Sequence, residues 1–260
     1  MPDAMVDDRL QADIGVAEEL ADGLDEHRTL GLDPGDAGPV LAAARDGREP
    51  AAVVLTHHHH DHIGGVPALL ERWPELPVYA PDDERIPMAT ARLRGGQSVD
   101  IAQWRFEVID VPGHTRSHIA LHGHGILFSG DTLFSLGCGR LFEGTPSQML
   151  ESLDRLARLP AATLVCCGHE YTRSNAAFAL AVEPGNQALR ERSEEVERMR
   201  EQDRPTVPST LGSELACNPF LRIDAPDVVR AVGARAGDGG AVDRVARFAA
   251  LRAWKDGFGA

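Results

Sequence analysis

Lysine is almost missing from this sequence: of its 26 Lys and Arg residues, 25 are arginine and only Lys255 is lysine. Positive charge is short altogether, 26 cations facing 40 Asp and Glu for a formal net charge of −14. Affinity for nucleic acid rests mostly on clustered Lys and Arg that neutralise phosphates, so no DNA or RNA partner is expected. Cysteine is scarce too. Cys138, Cys166, Cys167 and Cys217 lack the repeated C-x-x-C spacing of a zinc ribbon, and the adjacent Cys166 and Cys167 are badly placed to bridge each other, so all four read as free thiols. Long apolar runs are absent. Residues 176–182 and 51–55 are among the longest, far short of the roughly 18 residues of a membrane-spanning helix, so no membrane protein is expected. The first thirty residues carry nine acids and only Arg9 and Arg28 as bases, the reverse of a secretory or transit peptide; the expected location is the cytoplasm.

What is present is a 260-residue chain, 43% hydrophobic and 25% charged, long enough for one large domain or a medium domain with a smaller appendage. Residues 1–27 space Ile14, Ala17, Leu20, Ala21 and Leu24 three and four apart, which predicts a helix, with a loose acidic tail as the alternative. Residues 29–32 end in Asp33-Pro34-Gly35, a turn signal, and residues 40–45 read as a helix. Residues 51–56 form an apolar, partly β-branched run typical of a buried strand. The same grammar recurs at 106–111, 126–129 and 163–167. Each run ends in a His or Asp, at the carboxyl edge where open sheets assemble active sites. After Thr145 helices dominate. Thr145-Pro146-Ser147-Gln148 supplies a cap, a Pro at the first helical position and a Gln at the third, predicting a helix over 146–158. Two more are predicted over 186–202 and 243–255, linked by a Pro-rich stretch from 205 to 219.

The most informative stretch is His57-His58-His59-His60-Asp61-His62, closed by Gly64-Gly65. Four histidines in a row can be a solvated tract or an incidental metal binder. This run is internal and begins where a buried strand ends, which favours a built site. In an extended or tight-turn segment alternate residues point the same way, so His57 and His59 can converge on one ion while Asp61 and His62 face a second. His114, Asp131 and His169 bring the candidates to seven; with Asp131 shared as a bridge, two four-ligand sets follow. Imidazole and carboxylate donors suit zinc and other first-row divalent ions. His58, His60, His122 and His124 read as surface or supporting residues, and His118 as a supporting partner behind the ligands.

At these residues the chain resembles the metallo-β-lactamase superfamily, marked by H-x-H-x-D-H with later His, Asp and His. More narrowly it is similar to the hydroxyacylglutathione hydrolase, or glyoxalase II, family. The resemblance runs through Pro112-Gly113-His114-Thr115, Gly130-Asp131-Thr132, Gly137-Cys138-Gly139-Arg140-Leu141-Phe142-Glu143-Gly144-Thr145 and Gly168-His169-Glu170-Tyr171, and on to Asn218-Pro219-Phe220. It implies an α/β fold, a four-layer αββα sandwich over residues 1–169, followed by a small helical glutathione-binding domain over 170–260. It also implies two divalent metals, zinc first with iron or manganese as alternatives. His57, His59 and His114 would hold one and Asp61, His62 and His169 the other, with Asp131 bridging. The implied reaction is hydrolysis of S-(2-hydroxyacyl)glutathione, typically S-D-lactoylglutathione to D-lactate and glutathione. A hydroxide between the metals would attack, with Asp61 and Asp131 as catalytic carboxylates. Arg140, Phe142, Tyr171, Arg252 and Lys255 match substrate-binding positions.

Two departures stand out. Residues 1–27 lack the two strands and Asp-Asn-Tyr turn with which family members usually begin, and Phe142 stands where some members carry Tyr. Arg252 and Lys255 lie three apart on a predicted helix whose packed side is read from Val245, Phe248 and Ala249, so both cations are expected to emerge together at its edge. The rival readings are a lactonase or persulfide dioxygenase of the same superfamily, and a non-catalytic metal-binding relative. A monomer is expected.

Overall fold

In the computed structural model the described residues are 28–236 and 243–259; the helix expected within 1–27 lies outside them. Four parallel strands, β1 (Arg28–Leu32), β2 (Glu49–Val54), β3 (Val78–Pro81) and β4 (Ala91–Leu93), form a first sheet in that order. A second, mixed sheet contains β5 (Ser98–Ile101), β6 (Trp104–Asp110), β7 (Ile119–Gly123) and β8 (Ile126–Gly130). A short hairpin, β9 (Leu133–Phe134) with β10 (Gly137–Cys138), follows, and β11 (Leu164–Cys167) and β12 (Ser209–Thr210) complete the second sheet in the order β12-β11-β8-β7-β6-β5.

The alternation of side chains along each strand decides the layers. Ala52 and Val54 of β2 face inward with Ile126 and Phe128 of β8, filling the space between the sheets together with Phe106, Val108 and Leu121. Val53 and Leu55 point the other way, onto helices α1 (Gly38–Arg45) and α3 (Val66–Arg72) through Val40, Val66 and Leu69. Burial on both faces is why residues 51–55 read as a continuous apolar run and not as an alternation. A one-turn helix, α2 (His60–Ile63), sits between β2 and α3.

On the far side, Ala120, Leu127 and Val165 of the second sheet pack against α4 (Pro146–Leu156), α5 (Thr172–Val182), α8 (Pro226–Ala236) and α9 (Arg244–Asp256). The result is an αββα sandwich with a helical C-terminal region. α6 (Gln187–Glu201) packs on α5 through Leu189. α4 starts as its sequence dictates, with Thr145 and Gln148 forming a reciprocal capping box and Pro146 in the first turn. Asn186 and Asp243 cap α6 and α9 with their side chains, so both helices start one residue after the expected position. The Pro-rich stretch from 205 to 219 is more than a linker: it holds β12, antiparallel to β11, and α7 (Leu211–Cys217). No helix is long and apolar enough to cross a membrane among the described residues.

Candidate metal centre

Strand direction assembles the site. β6 and β8 are both antiparallel to β7, and β11 is parallel to β8, so all three end at one edge and deliver His114, Asp131 and His169 there. β2 delivers residues 57–62 from the facing sheet, and the Ile119 N–H donates to Thr56 O at 3.1 Å, tying the two sheets at this edge. His59 is extended, with ψ 147°, and α2 then turns Asp61 and His62 away from it. This switch separates one motif into two ligand groups.

The first group is His57, His59 and His114, the second Asp61, His62 and His169, and within each the donor atoms lie within 4.8 Å of one another. His59 Nδ1 sits 3.0 Å from His57 Nε2 and 2.9 Å from His114 Nε2. His62 Nε2 is 3.2 Å from His169 Nε2, which is 3.5 Å from Asp61 Oδ2. Asp131 lies between the groups. Its Oδ2 is 3.4 Å from His114 Nε2, and its Oδ1 is 3.3 Å from His62 Nε2 and 3.6 Å from His169 Nε2. Ligands about 2.0–2.1 Å from a tetrahedral ion are about 3.3–3.4 Å apart, and the separations here, from 2.9 to 3.6 Å, lie on both sides of that value.

The hydrogen bonds behind the rings show which nitrogens carry lone pairs. The Arg140 carbonyl can only accept, so His114 Nδ1–H donates to it at 2.9 Å and Nε2 is bare. Thr56 Oγ1 donates its one proton to Asp33 Oδ2 at 2.6 Å, so it accepts from His57 Nδ1 at 3.1 Å, and His57 Nε2 is bare as well. Asp33 Oδ2 also lies 3.1 Å from His62 Nδ1, favouring the proton on that side. Two lone pairs therefore face His59 Nδ1, which can answer only one of them with a proton. Asp131 Oδ1 is buried with no hydrogen-bond donor, a costly arrangement for a carboxylate. A cation in each group resolves both problems, and the donor set fits divalent metals.

For the first group the electrostatics agree. Burial, reinforced by the imidazoles of His118, His62, His114 and His59, drives the His57 pKa well down, and burial lowers His114 too; both stay neutral and able to ligate. Burial opposes charge on His62, but Asp33 and Asp131 outweigh it and raise its pKa. Burial would also raise the Asp131 carboxyl, yet His62, His169 and His114 hold it well below the usual range. Close packing leaves no room for side chains here: a Cβ on Gly168 would lie 2.4 Å from Asp131 Oδ1.

The supporting histidines divide. His118, buried, accepts the Asp131 N–H at 3.0 Å and stacks on His57, as its position predicted. His58 faces Asp83 at 3.6 Å and Glu143 at 3.7 Å, His124 accepts from the Arg105 N–H, and His60 is exposed. In the sequence Asp33 reads only as part of a turn. Its distance of 23 residues from Thr56 hides from the sequence that it orients ligands of both groups.

Around the mouth, Phe142 is 64% exposed and presents its ring to His59 and His114, with centroids 5.5 and 5.2 Å away. Tyr171 stacks on His169 at 5.0 Å. Arg140 is exposed, its Nε 3.8 Å from Asp256. The expected emergence of Arg252 beside Lys255 is corrected. Val245 is 37% exposed, whereas Phe248, Leu251 and Arg252 are buried, so the packed face of α9 includes Arg252. Its guanidinium donates to Cys138 O at 2.7 Å and to Asp256, over the Phe220 ring. Lys255 remains at the edge, half-buried, donating to Ser174 O at 3.2 Å.

Comparison with known proteins covers most of the chain. Residues 30–169 match the metallo-beta-lactamase superfamily, and residues 170–258 match the hydroxyacylglutathione hydrolase C-terminus. A hydroxyacylglutathione hydrolase of Xanthomonas campestris pv. campestris is 57% identical over 232 residues, 89% of this chain and 91% of that protein. Another, of Xylella fastidiosa, is 56% identical over 231 residues, 89% of each. Among solved structures, the BLEG-1 B3 metallo-beta-lactamase is 26% identical with a TM-score of 0.58, over 76% of this chain and 90% of that one. TTHA1623 in a di-iron-bound form is 29% identical with a TM-score of 0.53, over 74% and 88%. From the sandwich, the two ligand groups and the matches that span both halves, this chain belongs to the hydroxyacylglutathione hydrolase family of the metallo-β-lactamase superfamily.

Proposed function

We propose that this chain hydrolyses the thioester of S-(2-hydroxyacyl)glutathione, S-D-lactoylglutathione above all, to a 2-hydroxy acid and glutathione. The observation that carries the reading is the Asp131 carboxylate, with one oxygen toward each ligand group, in a chain 57% identical to a hydroxyacylglutathione hydrolase. Two ions per chain, zinc before iron or manganese, would be held by His57, His59 and His114 and by Asp61, His62 and His169, with Asp131 shared. Bound there, they would polarise the thioester carbonyl and acidify water toward a pKa of about 7. Water adds to the acyl carbon, the C–S bond breaks, and glutathione leaves as a thiolate whose low basicity needs little acid help.

The side chains divide the remaining work. Asp61, whose Oδ2 lies 3.5 Å from His169 Nε2 in the second group, would be ionised beside a bound cation and orients the water by accepting its proton in a hydrogen bond. Phe142 offers an apolar wall beside His59 and His114, and Tyr171 one beside His169. Arg140 and Lys255 supply positive charge for the glycine carboxylate of glutathione, which the net charge of −14 would otherwise repel. Arg252 acts from within, holding the Cys138 carbonyl next to this edge. The test is loss of thioester absorbance when purified, metal-loaded protein meets S-D-lactoylglutathione. Turnover that chelation abolishes is expected; a metal-replete chain that leaves the thioester intact while opening lactones would overturn the reading.

A further inference from the structure

The segment from 131 to 142 carries a disproportionate share of the site. It begins at Asp131, includes the Arg140 carbonyl that fixes the His114 tautomer, and ends at Phe142 over His59 and His114. It is also tightly fitted, since a Cβ on Gly139 would lie 1.9 Å from the Asp131 carbonyl oxygen. Its middle is the β9–β10 hairpin, with Phe134 paired to Gly137 and Leu133 to Cys138. The turn residue Leu136 has φ +59° and is fully buried. A bulky residue in the left-handed region persists only where its surroundings over-determine it.

Those surroundings are polar side chains of the helical C-terminal region, all buried. Glu214 of α7 accepts the Leu136 N–H at 2.7 Å and the Ser135 hydroxyl at 3.0 Å. It also takes the Ser209 hydroxyl at 2.7 Å and Asn218 Nδ2 at 3.1 Å. The two N–H groups of Asn218 Nδ2 are shared among Glu214, Phe134 O and Gly137 O, and Asn175 Nδ2 donates to Ser135 O at 3.0 Å. Arg252 holds Cys138 O. The backbone groups of 134–138 are thus anchored to side chains that lie 40 to 114 residues further along the chain.

We propose that Glu214 is a positioning residue for the metal centre, acting through the β9–β10 hairpin to hold Asp131 and the Arg140 carbonyl in register. This rests on the reading of Asp131 as the shared ligand. It gives the helical region a second task besides contact with glutathione: its anchors fix the hairpin in the middle of the segment, whose ends are tied by Asp131 N–H to His118 and Phe142 N–H to His114 O.

The chemistry of Glu214 supplies its own conservative control. Oε2 faces two donors that cannot reverse, Leu136 N–H and Asn218 Nδ2, whereas Oε1 faces the hydroxyls of Ser135 and Ser209, which can rotate and accept. A glutamine with its oxygen toward Leu136 and its NH2 toward the serines satisfies every partner. Burial already raises the pKa of Glu214, so loss of the formal charge is tolerable. A leucine of similar size satisfies none.

Wild-type protein, Glu214→Gln and Glu214→Leu are therefore compared by metal content after dialysis, by the visible spectrum of the cobalt(II)-substituted protein, and by steady-state kinetics on S-D-lactoylglutathione. Glu214→Gln should match the wild type in metal content and spectrum, with kcat within about threefold. Glu214→Leu should retain the far-UV circular dichroism of the fold, shift the cobalt spectrum and lose kcat by tenfold or more, with KM changed less than threefold. A folded Glu214→Leu protein with wild-type spectrum and kcat overturns the proposal, as does a raised KM at unchanged kcat. If Glu214→Leu fails to fold, Asn175→Ala, which removes only the anchor on Ser135 O, is held to the same criteria. A wild-type protein that binds no metal or cleaves no thioester would instead refute the functional reading itself.

Discussion

Under the proposed function, the chain's one lysine sets the pH dependence of substrate capture. Lys255 sits half-buried with Nζ 5.3 Å from the Phe178 ring centroid, and burial, then repulsion from Arg252 and Arg140, brings its pKa down to about 8. The ammonium is therefore present below pH 8 and lost as pH rises through it. Protonation is about 90% at pH 7 and about 10% at pH 9, so kcat/KM for the glutathione thioester should fall about tenfold across that interval. A lysine at the ordinary value of about 10.4 would lose only a few per cent of its charge. A short thioester lacking the glycine carboxylate gives the internal reference, since any titration at the metal centre affects both substrates. Lys255→Arg, charged throughout this range, should flatten the difference. Lys255→Ala should cost roughly 1.5–3 kcal/mol of binding, raising KM by about one to two decades with kcat nearly intact. Steady-state kinetics from pH 6.5 to 9.5 on both substrates is the assay. Equal pH slopes for the two, or an undiminished fall in Lys255→Arg, would refute the reasoning.

Two further outcomes are expected. Asp33→Ala removes the acceptor behind Thr56 Oγ1 and His62 Nδ1, and loss of such outer partners weakens metal affinity by about 10–100-fold; competition with a chelator measures it, and unaltered affinity would contradict the assigned tautomers. Leu127→Ala empties a fully buried position between the second sheet and its helices and should cost roughly 2–5 kcal/mol in denaturant unfolding, with metal content at full loading unchanged.

Much of this was legible in the sequence because the informative signals are local. Four of the ligand candidates come just after short apolar strands, so strand grammar alone brings His57, His114, Asp131 and His169 to one edge. The cap at Thr145 fixes the start of α4, and the helices expected from 186 and 243 start within a residue of α6 and α9. What was hidden depends on distant contacts. Asp33 reaches Thr56, Glu214 reaches Leu136 across 78 residues, and neither pattern has a local signature. β12 and α7 escaped notice because a proline-rich composition masks a two-residue edge strand that needs β11 to exist. The burial of Arg252 runs against its residue type. A guanidinium marks the wet side of a helix by default, but this one finds a carbonyl, a carboxylate and an aromatic ring inside the fold and is buried with its charge paired.

The most direct test of the central claim is elemental analysis of the dialysed wild-type, Asp131→Ala and His169→Ala proteins, because sharing of one carboxylate by two ligand groups makes a prediction that two independent sites do not. Two metals per chain are expected in the wild type, loss from both groups together in Asp131→Ala, and loss mainly from the Asp61, His62 and His169 group in His169→Ala. Retention of two metals per chain by a folded Asp131→Ala protein would contradict the account.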